Sequence, residues 1–573
     1  MTATAEPTTG AGDGPAANGS PFYLRHRETL ERAVAAVGAR DYWTPYPETL
    51  KSYGEEAEAR GRAAFEAYLG APFPLELPGS DGQDGDERSP YGFDLGITYP
   101  HSPVDALVDA ARSALPAWRD AGPQTRAGVC LEILARLNAR STEIGYAVMH
   151  TTGQAFGMAF QAGGPHAQDR GLEAVAYAYP EMTRHPRSAR WEKPLGRGAV
   201  AVMQKSYFVV PRGVALAVGC NTFPTWNSYP GLFASLVTGN PVIVKPHPRA
   251  VLPLAITVAV AREVLAEAGF APDLVTLAAE RPDEGLASAL ATHPAVRIVD
   301  FTGSTAYGDW LEEHARQAEV YTEKAGVNNV VLDSTDDFAG LAKNLAFSLS
   351  LYSGQMCTTP QNLLIPRDGI DTDEGHKSFD EVVAGIAAAV EGLLGDDKRA
   401  AAVLGAIVND GVLERLERAP SLGSVALASR AVSFPQFPDA TIRTPVLVTL
   451  DAADEKVYAA EHFGPIAFAV ATGSTEESLE ILRRTVSTQG ALTALVYSTR
   501  EDVLDAAEAA ARDAGVAVSF NLTGGIYVNQ SAAFSDFHGT GANPACNAAL
   551  TDAAYVSSRF TMVQSRRPVP PAG

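Results

Sequence analysis

Val214–Lys245 reads VALAVGCNTFPTWNSYPGLFASLVTGNPVIVK. It opens on an apolar run, Val214–Val218, and closes on a second, Val242–Val244, each too short for a helix and too continuous for a half-exposed strand. Such runs mark strands buried on both faces. Leu274–Leu277 and Val296–Val299 repeat the pattern downstream, with helical periodicity between them, clearest over Leu252–Ala268 and stopped by Gly269. Strand and helix alternating in this way predict a parallel sheet covered by helices. Ligands of such sheets bind beyond the carboxyl ends of the strands. Cys220–Trp226, Lys245–Pro248 and Phe301–Thr305 fall at those ends. No G-x-G-x-x-G turn follows any of these strands, so an ordinary dinucleotide fingerprint is not expected.

Upstream, Ser102-Pro103 predicts a helix start, a cap followed by proline in the first turn, with Val104, Leu107, Val108, Ala111 and Leu115 on one face. A further helical pattern runs from Arg126 to Leu137. The Gly/Asp-rich stretch Gly79–Pro90 predicts a loop dividing an N-terminal helical extension from the main body. Downstream, a mixed region spans Asp336–Asn521, with strand-like Asn362–Ile365 and Leu492–Tyr497. The expected organisation is an extension over 1–95, a cofactor domain over 96–322 with a strand excursion near 190–211, a catalytic domain over 323–525, and a C-terminal return over 526–573. The first twenty residues and the proline-rich end, Arg566–Gly573, are expected to be loose.

The 573 residues carry a net charge of −22, with 46% hydrophobic and 20% charged residues, a globular composition hostile to polyphosphate and anionic membrane. No nucleic-acid partner is expected. No apolar run approaches the ~18 residues of a membrane span, and no basic-then-apolar leader opens the chain. Cys130, Cys220, Cys357 and Cys546 are too sparse for a disulfide framework and show no paired metal-ligand spacing, so a reducing cytoplasm and no metal site are expected.

Chemistry concentrates at Cys357, among the small polar residues of Ser353-Gly354-Gln355-Met356-Cys357-Thr358-Thr359, and at Glu323 in Thr322-Glu323-Lys324-Ala325-Gly326. A thiol that attacks a carbonyl and a carboxylate that activates water suffice to make and hydrolyse a thioester. Cys130 and Cys220 lie in apolar surroundings and are expected in the core.

The order of these motifs resembles the aldehyde dehydrogenase superfamily from about Leu115 to Phe560. Gly219–Lys245 is similar to the family's segment from oxyanion loop to cofactor lysine, Phe301-Thr302-Gly303-Ser304 to its nicotinamide-side turn, and Glu461-His462-Phe463-Gly464-Pro465 to its second cofactor motif. The wording EKAGVN, SGQMCTTPQN and Ser535-Asp536-Phe537-His538 looks like the PaaN type of phenylacetic acid degradation enzymes. The resemblance implies a Rossmann-like cofactor domain, an α/β catalytic domain and an oligomerisation strand near Ala199–Val210. It implies Cys357 as nucleophile, Glu323 as base, and Lys245, Arg249, Gly303, Ser304, Glu461, Phe463 and Pro224 as cofactor-binding residues. The expected reaction is NAD(P)-dependent oxidation of an aldehyde to an acid, the aldehyde being a CoA-linked semialdehyde, in a homodimer or larger homo-oligomer. A CoA-acylating dehydrogenase and a catalytically silent binding protein are the rivals.

Two positions depart from the family pattern. Thr222 stands where an oxyanion-stabilising asparagine is usual, with Asn221 beside it, so either side chain or the Cys357 amide can serve. Pro248 stands where NAD-using members often carry glutamate, flanked by Lys245, His247 and Arg249. Loss of a carboxylate that repels a 2′-phosphate predicts a preference for NADP over NAD.

Overall fold

The computed structural model describes residues 20–569, apart from 282 and 325. The expected loose leader lies outside these residues except for its last, Ser20, which opens the first helix; 570–573 also lie outside.

The chain begins with helix α1 (Ser20–Ala39), then α2 (Val104–Asp120), α3 (Gly122–Ala139) and α4 (Ala167–Thr183). α2 starts one residue later than expected: Pro103 is its cap, and the buried Ser102 hydroxyl has no partner among the described residues. α1 packs on α3 so closely that a Cβ at Gly128 would lie 2.3 Å from the Tyr23 amide nitrogen. The Gly79–Pro90 segment is stitched to the body. Its strand Gly82–Asp84 pairs with Tyr99–His101, and buried Glu87 accepts backbone N–H bonds from Val251 (2.6 Å) and Leu252 (3.1 Å). Those amides open the helix after the second buried strand, where a carboxyl oxygen satisfies otherwise unpaired donors.

An antiparallel ribbon follows, β1 (Ser188–Gly196) and β2 (Ala199–Pro211). Then come β3 (Val214–Val218), α5 (Pro224–Val237), β4 (Val242–Lys245), α6 (Leu252–Glu267), β5 (Val275–Leu277), β6 (Val296–Gly303), α7 (Thr305–His314) and β7 (Glu319–Lys324). The five strands form a parallel sheet in the order β5-β4-β3-β6-β7, so the chain reverses direction between β3 and β6. β3 and β4 are buried along their whole length, as unbroken valine-rich runs require.

The second sheet holds β8 (Asn328–Leu332), β9 (Pro360–Pro366), β10 (Ser424–Leu427), β11 (Val446–Asp451), β12 (Ile466–Thr472), β13 (Thr493–Tyr497) and β14 (Ala517–Phe520). Their order is β10-β11-β12-β9-β8-β13-β14, parallel except for the β10–β11 edge. The chain then returns: Arg559 is fully buried and pairs with Asp300 of β6 (Nη1–Oδ2 2.8 Å) and Ser235 of α5 (2.6 Å). β15 (Phe560–Pro568) pairs with β2 along its length. Arg566–Pro568 is therefore strand rather than loose tail; the backbone of β2 satisfies what the local sequence leaves open. No described helix is long and apolar enough to cross a membrane.

Candidate functional site

Glu323 stands on β7 opposite Thr302 of β6, beyond the switch point of the first sheet. Cys357 lies just before β9 of the second sheet. Its loop is held by Asn328, whose Nδ2 donates to the carbonyls of Cys357 (2.8 Å) and Thr359 (3.0 Å), and by Thr358, whose hydroxyl donates to Asn529 (2.8 Å). Three consecutive left-handed residues precede it: Tyr352, Ser353 and Gly354 at φ 53°, 51° and 63°. Strain of this kind persists only where surrounding contacts impose it. Here the Ser353 hydroxyl donates to Leu404 (3.2 Å), and a Cβ on Gly354 would lie 2.5 Å from the Gly464 carbonyl oxygen.

The two sheets thus bring the predicted pair together, and a third residue joins it. Cys357 Sγ, a Glu323 carboxylate oxygen and His538 Nε2 all lie within 4.8 Å of one another. His538 Nε2 is 2.9 Å from Glu323 Oε1 and 3.9 Å from Cys357 Sγ. Asn227 Nδ2 donates to Glu323 Oε2 (2.8 Å), and the Trp226 ring meets the His538 ring edge-on. Burial pushes the Glu323 carboxyl up, but His538 above all, with Cys357 and Asn227, outweighs it and holds the group below its ordinary value. Burial, and then the Glu323 charge, push the Cys357 thiol well above its ordinary value. A protonated thiol beside an ionised carboxylate can pass its proton to that carboxylate as the sulfur attacks a carbonyl. His538 was visible in the sequence only as part of a family-like phrase. It lies 215 residues from its partner, with no periodicity to connect them.

Two cavities meet at Cys357. The first, about 610 Å³, lies at the carboxyl ends of β3, β4 and β6 and contains Asn221, Thr222, Lys245, Glu280, Gly303, Ser304, Glu323, Glu461 and Phe463. Lys245 is buried and forms an ion pair with Glu280, which follows β5. Ser304 caps α7, its hydroxyl accepting from Tyr307 N–H (3.4 Å). Glu461 sits on a loop, open to the cavity yet walled by protein. Desolvation lifts its carboxyl to about 7 against the pull of Arg415. Arg415 also ties that loop down, its Nε donating to the Phe463 carbonyl (3.0 Å).

Other expected residues divide between the cavity and its surroundings. Arg249 is exposed and lines a neighbouring depression that shares Asn221, His247 and Asn409 with the first cavity. Pro224 is buried in the first turn of α5 and does not border the cavity. Burial, then Lys245 and Arg249, lower His247 to about 4, so it supplies no positive charge at neutral pH. Cys130 and Cys220 are both buried in apolar clusters, as expected, and Cys220 also borders the cavity. Asn221 Nδ2 donates to Thr151 (3.3 Å), whereas the Thr222 hydroxyl has only the Cys220 sulfur at 3.9 Å. Thr222 is thus the freer donor.

The second cavity, about 590 Å³, opens from the other side of Cys357. Tyr42, Trp43, Phe223, Trp226, Phe347, Tyr527, Met158 and Met356 contribute its walls. The N-terminal extension therefore shapes a cavity at the nucleophile.

The chain matches the aldehyde dehydrogenase family over residues 99–541 and belongs to it. It is accordingly an oxidoreductase acting on aldehydes. Its backbone is similar to the crystal structure of an NAD-dependent aldehyde dehydrogenase from Burkholderia multivorans, with 59% identity, a TM-score of 0.95, and coverage of 96% of this chain and 99% of that one. Vanillin dehydrogenase of Pseudomonas fluorescens is 27% identical over 74% of this chain and 83% of its own. N-succinylglutamate 5-semialdehyde dehydrogenase of Paraburkholderia xenovorans is 27% identical over 66% and 73%.

Proposed function

We propose that the chain oxidises an aldehyde whose reacting end is an uncharged apolar chain or ring, and that the substrate is the CoA-linked semialdehyde formed when an activated phenylacetate ring is opened, its anionic CoA portion lying outside the cavity beside Cys357. The observation carrying this reading is the cavity of about 590 Å³. Aromatic and apolar side chains supply most of its surface, beside polar Glu48, Gln161, Asp169, Asn529 and Asp536, and each basic side chain meets a carboxylate: Arg170 with Glu173 (2.8 Å), His166 with Glu48 (3.3 Å), His538 with Glu323 (2.9 Å). Burial above all pushes the Asp169 carboxyl in the same wall well above its ordinary range, which favours its protonated, hydrogen-bonding form; the Thr44 hydroxyl donates to it (2.9 Å). A free carboxylate on the substrate would lose its hydration there, meet only basic groups already paired with carboxylates, and face Glu48 and Asp536. A thioester-masked acid would not. The test is NAD(P)H formation with apolar aldehydes, carboxylated semialdehydes and the CoA-linked compound, each with and without added CoA. Preference for the carboxylated series would overturn the reading, and a requirement for CoA would favour the acylating alternative. Failure to grow on phenylacetate after gene deletion, in a strain with no second copy, is the matching cellular result.

Cys357 would form the thioester, Glu323 would take the thiol proton, release it to solvent and then take that of the attacking water, and Thr222 would stabilise the oxyanion. The bound nicotinamide supplies hydride acceptance. The cavity's donor set suits such a cofactor: carboxylates of Glu280 and Glu461 for ribose hydroxyls, the Lys245 ammonium, and the amides that open α7 for a pyrophosphate. Against the expectation from Pro248, NAD is the better-supported cofactor, because Glu280 returns to the cavity the carboxylate absent from position 248. The strands β1, β2 and β15 expose Trp191, Leu195, Val200, Phe208, Met562 and Val563, a surface that supports assembly with a second copy. Light scattering at micromolar concentration tests it: a monomer would refute it.

A further inference from the structure

We propose that Cys357, Glu323 and His538 form a binding site for a thiophilic divalent cation of the zinc class, whose occupancy reversibly blocks the enzyme. This inference rests on the geometry of the three side chains and not on which aldehyde the enzyme takes.

Thiolate, imidazole and carboxylate are the three donor types that zinc combines in four-coordinate sites. Zn–S and Zn–N bonds of about 2.3 and 2.05 Å at a tetrahedral angle put sulfur and nitrogen roughly 3.5 Å apart. Cys357 Sγ and His538 Nε2 stand at 3.9 Å, with all three donor atoms inside 4.8 Å. The His538–Glu323 separation, 2.9 Å, is that of a hydrogen bond and must open by a few tenths of an ångström as the cation replaces the shared proton. Adjustments of that size lie within side-chain motion. The outer contacts that orient ligands are already built: Asn227 holds the other Glu323 oxygen at 2.8 Å, and Trp226 packs against the His538 ring. Both cavities reach Cys357, leaving room for water as fourth ligand.

Charge favours the same outcome. A thiolate and a carboxylate forced together in a buried place repel, and a dication between them removes that repulsion. The balance is simple: the Cys357 S–H proton is released to solvent, the proton shared by His538 Nε2 and Glu323 shifts to His538 Nδ1, an S–metal bond forms, and nothing is oxidised or reduced. Nucleophile and base would then be occupied at once. The donors come from three distant segments, which is why no metal-ligand spacing is visible in the sequence.

The experiment uses the full-length, chelator-washed protein. Calorimetric titration with Zn²⁺ is expected to give one strong site per chain. Aldehyde oxidation should fall in step with occupancy and return on adding chelator. Co²⁺ should produce a near-ultraviolet thiolate-to-metal band. Cys357→Ser, close to isosteric, should abolish that band, and His538→Asn should weaken Zn²⁺ binding at least tenfold. His538→Gln serves if thermal melting shows the asparagine variant misfolded. A band that survives in Cys357→Ser, unchanged affinity in a folded His538 variant, or no strong site in the wild type would each overturn the proposal. Aldehyde oxidation by untreated enzyme is measured beside these, so loss of the metal site and loss of the dehydrogenase reading are separate results.

Discussion

Replacing Glu280 by glutamine should move the enzyme's preference from NAD towards NADP. The residue keeps its shape but loses the charge that pairs with Lys245 inside the cofactor cavity. A 2′-phosphate placed near that carboxylate, at roughly 5 Å, would feel ~3 kcal/mol of repulsion per unit charge at an effective dielectric of about 20. Lys245 and cleft water screen this to roughly half, so removing the charge improves NADP by about tenfold in kcat/KM. NAD should lose about fivefold, because a neutral amide accepts a ribose hydroxyl less strongly than a carboxylate does. The ratio of the two specificity constants should therefore shift by about fifty. The assay is initial rate against each cofactor at saturating aldehyde. A ratio changed by less than about threefold, while Lys245→Ala changes it strongly, would show that Glu280 serves only to hold the lysine.

Cys357→Ala should lower aldehyde oxidation by several orders of magnitude and leave cofactor binding, read by fluorescence quenching, nearly intact. Glu323→Gln should slow the burst of reduced cofactor, since an amide takes no proton from the thiol, and slow the following steady state more, since it takes none from water either; an unchanged steady state would remove its role as base. Glu461, lifted to about 7, is protonated below that pH and loses acceptor strength for ribose hydroxyls. Cofactor KM should then rise as pH falls from 8 to 6, and Glu461→Gln should flatten that dependence. Trp43→Ala should raise KM for apolar aldehydes by about tenfold with little change in cofactor KM, the loss of one buried aromatic contact in the substrate cavity.

The parallel sheet was legible because strands buried on both faces must be apolar throughout, and Val214–Val218 and Val242–Val244 are. Cys357 and Glu323 were legible as chemistry, and the structure brings them together. Pairings across the fold were not. Glu280 follows a three-residue strand and carries no local signal, yet it meets Lys245; His538 meets Glu323 across 215 residues. The strand Phe560–Pro568 ends in Arg566-Arg567-Pro568, a pattern fit for solvent, and only its ladder to Ala199–Pro211 makes it a strand. Ser102 has the chemistry of a cap, but Pro103 takes that place.

The left-handed turn Tyr352–Gly354 makes the nucleophile late to mature. A left-handed run of three residues, two of them non-glycine, is disfavoured in an unfolded chain. Its supports are Leu404 and Gly464, both made after Cys357 during synthesis. A nascent or half-docked chain would therefore carry its thiol on an unconstrained loop, apart from Glu323 and from the walls of both cavities. Alkylation of Cys357 by a thiol reagent that the folded cavities exclude thus becomes a clock for assembly: the rate at which protection develops during refolding reports when the two sheets close on each other.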